Sequence, residues 1–128
     1  MSSYNTVISG FVVGDDVIII RTVENIPSGQ VLNKSWFTVK TRYTDDDAHA
    51  IYQKIISASV DAIQGQITNI GASGTSSLSF LLNASDTILM RPDAEYFYDI
   101  QIKTSADKIR THERGVIVAL AGVTSALS

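Results

Sequence analysis

The sequence contains no cysteine, two prolines, one tryptophan and two histidines in 128 residues. Without thiols there is no disulfide, no thiolate nucleophile and no Cys-type zinc site. The compartment stays open, because a cysteine-free chain is stable on either side of a membrane. Charge is also sparse. Ten basic and thirteen acidic residues make up 18% of the chain and leave a net charge of −3. With no basic excess, the electrostatic footprint of a nucleic-acid or anionic-membrane binder is missing. The longest apolar runs, Val17 to Ile20 and Val116 to Ala121, fall far below the ~20 residues of a membrane helix. Met1-Ser2-Ser3-Tyr4-Asn5 has neither the positive start nor the apolar stretch of a secretory signal. The expectation is a soluble, unprocessed, single-domain protein over residues 1–128, with residues 1–4 and 125–128 as flexible or partner-ordered tails.

What the chain does have is branched and hydroxylated side chains. Ile and Val together number 27, and Ser and Thr number 26. Branched side chains suit a pleated surface, and 45% apolar residues are enough for a self-supporting core at this length.

The dominant period is two. Residues 5–22 hold two β-rich runs around the turn signal Gly14-Asp15-Asp16, which predicts a hairpin. Residues 24–34 carry Pro27 and Gly29 and read as a loop. From Ser35 to Tyr43 alternation is strict, with Phe37, Val39, Thr41 and Tyr43 on the expected core face. Trp36 falls on the opposite face, where it covers an edge or an interface. Asp45 to Ser59 reads as a capped helix or as an acidic loop followed by a strand, and the β character of the rest favours the loop and strand. Gln66–Ile70 and Thr75–Leu82 are strands around the turn Gly71-Ala72-Ser73-Gly74, the second with Leu78, Phe80 and Leu82 on one face. Ala84 to Met90 makes a helical turn between sheets. Glu95–Thr104 is a strand with Tyr96, Tyr98, Ile100 and Ile102 inward. Lys108 to His112 and Gly115 to Val123 are expected to close the chain as a hairpin. Seven to nine short strands predict an all-β fold, an Ig-like antiparallel β-sandwich.

Met90-Arg91-Pro92-Asp93-Ala94-Glu95-Tyr96 refines that expectation. In such sandwiches a tyrosine opening a strand at this corner returns its hydroxyl to the backbone a few residues upstream. Tyr96 is the candidate corner residue, expected to satisfy a buried carbonyl.

No catalytic spacing accompanies these strands. His49 and His112 stand in neither HxxxH nor HExxH and read as solvated turn residues. The runs Asp45-Asp46-Asp47 and Asp15-Asp16 lack the spacing, glycine and closing glutamate of a calcium loop. Asp93 and Glu95 share one face, as a pair of glycosidase carboxylates would, but beside Pro92 they read as corner polarity. GxSxG and Walker-type loops are absent. The expectation is a protein without catalytic residues, metal or cofactor. The rival reading is a carbohydrate-binding module, with Trp36 and one of Tyr43, Tyr52 or Tyr4 forming an aromatic platform.

Trp36-Phe37-Thr38-Val39-Lys40, the Asp45-Asp46-Asp47-Ala48 loop leading to Gln53-Lys54, and Ser77 to Leu82 with Asp86-Thr87 occur in a telling order. Tyr96-Phe97-Tyr98-Asp99-Ile100-Gln101-Ile102-Lys103-Thr104, then Thr111, Gly115 and Val123-Thr124, complete it. Over residues 10–124 the chain resembles the Ig-like N-terminal domain of tailed-phage baseplate upper proteins and the small stand-alone virion proteins similar to it. The resemblance implies a non-enzymatic structural subunit of a bacteriophage virion, partnered by other virion proteins and by itself as a homo-oligomer. Baseplate upper proteins continue into a long C-terminal extension, whereas this sequence stops at Ser128. A lone domain that only coats needs no second module, which favours capsid decoration over a tail or baseplate adaptor. Attachment would draw on a few apolar anchors, for which Tyr4, Trp36 and Leu127 are the candidates.

Overall fold

The computed structural model describes residues 3–42, 44–70 and 74–122. Among these, eight strands form two facing sheets: β1 (Ser3–Val12), β2 (Val17–Val23), β3 (Leu32–Lys40), β4 (Tyr52–Ile56), β5 (Gly65–Ile70), β6 (Thr75–Leu82), β7 (Glu95–Thr104) and β8 (Ile109–Leu120). One sheet has the order β1-β8-β7-β3-β4 and the other β2-β6-β5. The fold is the expected all-β sandwich, with β2-β6-β5 packed against β4-β3-β7-β8. β1 departs from the antiparallel rule by running parallel to β8.

The alternating segments supply the core. Phe37, Val39, Leu78, Phe80, Leu82, Tyr98, Ile100, Ile102 and Ile117 are all buried between the sheets. Phe37 stacks on Tyr98 with ring centroids 5.3 Å apart and tilts against Phe80 at 5.4 Å, so it joins the two sheets at the centre. Between β3 and β4 the chain makes a 3₁₀ turn at Asp47–His49 and then a strand, the loop-and-strand alternative. Ala84–Thr87 forms the short helix α1, whose Asn83 and Asp86 cap each other's backbone.

Two expected hairpins do not form. β1 pairs with β8 and β2 pairs with β6, so Gly14-Asp15-Asp16 carries the chain from one sheet to the other. Thr87 holds that crossing: its hydroxyl accepts from the Gly14 N–H at 3.0 Å and donates to the Asp15 carbonyl at 2.8 Å. Residues 109–120 are one strand, not a hairpin. Their polar run contains a β-bulge, where Ile100 faces Glu113 but Gln101 faces Thr111, leaving His112 as the extra residue. β1 also begins at Ser3, inside the expected tail. It is bulged where Gly10 takes φ 92°, which lets Ile8 and Phe11, three residues apart, both reach the core. Among the described residues no helix is long and apolar enough to cross a membrane.

Candidate interaction surfaces

Trp36 projects from β3 on the outward face of the five-stranded sheet. The register seats it between Ile55 of β4 and Gln101 of β7. The Lys34 ammonium lies 5.7 Å from its ring centroid, a contact worth about 0.5–1 kcal/mol at an exposed site. Two rows along, Phe97 of β7 lies beside Val116 of β8, which in turn lies beside Val7 of β1. Val7 is 63% exposed and Ile55 is 42% exposed, while Trp36, Phe97 and Val116 are half-buried. Between these apolar positions runs a polar row, Arg114, Asp99, Thr38 and Gln53, in which the Gln53 amide donates to the Thr38 hydroxyl at 2.9 Å. Thr38 is itself buried, so the face offers apolar anchors divided by the polar groups of Gln53, Asp99 and Arg114, the composition of a contact surface.

The other expected aromatics do not gather around Trp36. Tyr52 lies in the core with its hydroxyl on the Met90 sulfur at 3.4 Å, and burial holds its phenol well above the ordinary tyrosine range. Tyr43, the Tyr4 side chain and Leu127 lie outside the described residues.

Tyr96 is buried at the start of β7, and its hydroxyl accepts a 2.8 Å hydrogen bond from the Arg91 N–H. The backbone partner is thus a donor five residues upstream, where a carbonyl was expected. Asp93 of the same corner adopts φ 62° and donates its N–H to the Ala119 carbonyl of β8, while its side chain is exposed.

Two ionic clusters join the layers. On one side, Lys54 of β4 is 3% exposed and its ammonium meets Asp86 of α1 at 2.5 Å. Lys54 and Asp86 thus join β4 to α1. They brace α1 and the β1–β2 crossing, a structural task. On the opposite side, the β8 bulge turns both His112 and Glu113 inward, toward β2. The Arg21 guanidinium donates to Glu113 at 2.8 Å, and the Tyr98 hydroxyl donates to the other carboxylate oxygen. Glu113 is 4% exposed, and desolvation together with the adjacent carboxylate holds the Tyr98 phenol well above its ordinary range. His112 is 7% exposed and hydrogen-bonded to the Thr22 backbone, with Nδ1 buried and unpartnered. Burial lowers its pKa. It is therefore a core histidine and not a solvated turn residue.

His49 is the exposed histidine. Its Nδ1 lies 2.5 Å from the Asp46 carboxylate, which raises its pKa. Asp45 accepts from the Arg42 N–H, so two of the three consecutive aspartates tie down their own loop. Among the described residues, no three His, Cys, Asp or Glu side chains converge as metal ligands.

At the end of the sandwich where β7 finishes and β8 starts lies a cleft of about 160 Å³, lined by Ile26, Leu32, Ile102 and Ile109 and flanked by Lys108 and Arg110. The alternation pattern carried no sign of it, because it forms where a loop after β2 meets the ends of three strands. Lys54, Arg21 and Glu113 also escaped the sequence reading. For Lys54 and Arg21 the one available signal was a charge at a strand position whose neighbours two residues away are apolar; Glu113, between Thr111 and Gly115, carried no such sign.

No known protein family matches this chain, and no curated protein is similar to it.

Proposed function

We propose that this chain is a non-enzymatic structural subunit of a tailed-bacteriophage virion, acting through surface contacts with other virion proteins and with itself. The observation that supports this reading best is the outward face of the five-stranded sheet, with Trp36, Ile55, Phe97, Val116 and Val7 set around a polar row. A few apolar anchors inside a polar surround supply most of the energy of a protein contact. The phage assignment rests on the strand motifs of β3, β6 and β7 and on their meeting partners Lys54 and Asp86. Capsid decoration stands ahead of a tail or baseplate adaptor, since a rigid sandwich needs no moving part to coat a shell.

The carbohydrate reading is weaker, because Tyr52 is buried and cannot share a platform with Trp36. The test is incorporation. Particles assembled with a Trp36→Ser, Phe97→Ser variant should lose this subunit while the purified variant keeps its far-UV circular dichroism. Incorporation equal to that of the unaltered chain overturns the role of this face.

A further inference from the structure

The two ends of the sandwich differ in a complementary way. β7 runs ten residues from Glu95 to Thr104, which places α1 and the β1–β2 crossing ~30 Å from the Ile26–Ile109 cleft. At the α1 end, Ile88 and Leu89 stand out of the surface, 59% and 54% exposed. Large side chains so far out of the core, next to each other on one turn, form a knob. Asp15, Asp16 and Asp93 are exposed around it, and Asp16 is fastened to α1 by accepting from the Ala84 N–H at 2.7 Å. One cation, Arg91, lies in the same segment.

The cleft end has the opposite character. Its floor is Ile26, Leu32 and Ile102, and Ile109 at its rim is 57% exposed. Its volume matches cavities that hold a benzene-sized apolar group, the size class of one aliphatic side chain. Lys108 and Arg110 flank it, and neither has an ion-pair partner among the described residues. The nearby Asp107 is engaged by Lys103 at 3.5 Å. Gln30, also on the lining, has a buried and unpartnered Oε1, an acceptor that a docked donor would satisfy.

We propose that copies of this chain associate head to tail, the Ile88–Leu89 knob of one entering the Ile26–Ile109 cleft of the next while Asp15, Asp16 and Asp93 face Lys108 and Arg110. The occupant is a second copy because the chain carries both halves of the match, apolar with acid at one end and apolar with base at the other. The inference deepens the reading as a structural subunit by naming one of its partners. Such a contact is heterologous: each copy keeps one free knob and one free cleft, so the product is a ring or a filament rather than a closed dimer. Two small ends bury less than the ~1,000 Å² of a lasting complex. The solution association is accordingly weak and depends on salt.

The experiment is sedimentation equilibrium of the full chain over a range of protein concentrations, at ~0.1 M and ~1 M salt, where the screening length falls from ~10 to ~3 Å. The expected result is an average mass that climbs above the 13.9 kDa monomer with concentration, and climbs less at high salt. Leu89→Asp spoils the knob and Arg110→Glu spoils the cleft, both at exposed positions that leave the fold intact by circular dichroism. Each variant alone should associate about tenfold more weakly or not at all. An equimolar mixture should recover association but stop at the dimer, because only the intact cleft of one variant and the intact knob of the other can meet. A monomer at every concentration, variants that associate like the unaltered chain, or a mixture without the dimer each overturns the proposal. These outcomes are independent of whether the chain is found in virions, so the contact and the virion role fail separately.

Discussion

Arg21 and Glu113 are 92 residues apart in the chain, yet their side chains meet at 2.8 Å and fasten β2 of one sheet to β8 of the other. The carboxylate is brought there by the β-bulge at His112, which turns two successive residues of β8 inward. It is satisfied from both sides, by the guanidinium and by the Tyr98 hydroxyl. The pair therefore fixes the edge of the sandwich at which the parallel strand β1 is added.

Removing one partner should be costly. Arg21→Met leaves the Glu113 carboxylate desolvated with Tyr98 alone, and the expected loss is about 3 kcal/mol. The double variant Arg21→Met, Glu113→Gln should recover most of that loss, because no charge is then stranded. Urea titration of both variants checks this, and equal losses in the two would show that the charge is not what matters.

Tyr96→Phe removes the acceptor of the Arg91 N–H. Leaving a donor without a partner costs about 1–3 kcal/mol when it is buried; because Arg91 is exposed, the lower figure is expected. A denaturation midpoint identical to that of the unaltered protein would deny the corner any energetic role.

Gly115→Ala should act on β1. A Cβ built at Gly115 would lie 1.8 Å from the Thr6 carbonyl oxygen, so the parallel pairing of β1 with β8 cannot survive unshifted. The expected signature is faster amide exchange along residues 6–12, with β3 and β7 still protected. Unchanged exchange in β1 would contradict the close approach.

The pH response follows from His112. Burial lowers its pKa from the ordinary 6.5, so between the folded and unfolded values the unfolded chain binds a proton that the folded chain refuses. Stability is then full above pH 6.5 and falls as pH drops below it, by up to about 1.4 kcal/mol per pH unit. Glu113 and Arg110 act on the imidazole in opposite directions, the first raising and the second lowering its pKa. His49 has the opposite sign: its pKa is raised by Asp46, so its contribution is present below the unfolded value and is lost as pH rises through the folded one. His112→Gln should flatten the loss of stability between pH 6.5 and 5, whereas His49→Gln should not. A slope unaltered by His112→Gln would place the titrating group elsewhere.

How much of this was legible in the sequence depended on how local the cause was. The inward faces of β3, β6 and β7 follow from alternation alone, since Phe37, Phe80 and Tyr98 need only their own strands to point them at the core. Gly14-Asp15-Asp16 was recognisable as a turn, but its partners were not. The same signal serves a hairpin or a crossing between sheets, and distant pairings with β8 and β6 decide which. Thr111-His112-Glu113-Arg114-Gly115 reads as a polar tip because nothing nearby reveals that Arg21 and Thr22 await it across the sandwich. Trp36 was readable as an outward residue, but the apolar company it keeps comes from β1, β4, β7 and β8. The cleft and the knob were illegible for the same reason, being assembled from loops and strand ends far apart in the chain.

Counting its copies decides whether this chain is a contact-building subunit of a virion. Purified particles encoded by the same genome would be analysed by quantitative mass spectrometry against a capsid protein of known number. A virion subunit is expected at a fixed stoichiometry, in the tens to hundreds per particle for a shell subunit and about six or twelve for a tail or baseplate part, as closed symmetry requires. Absence of the chain from particles, or a trace amount without fixed proportion, would contradict it.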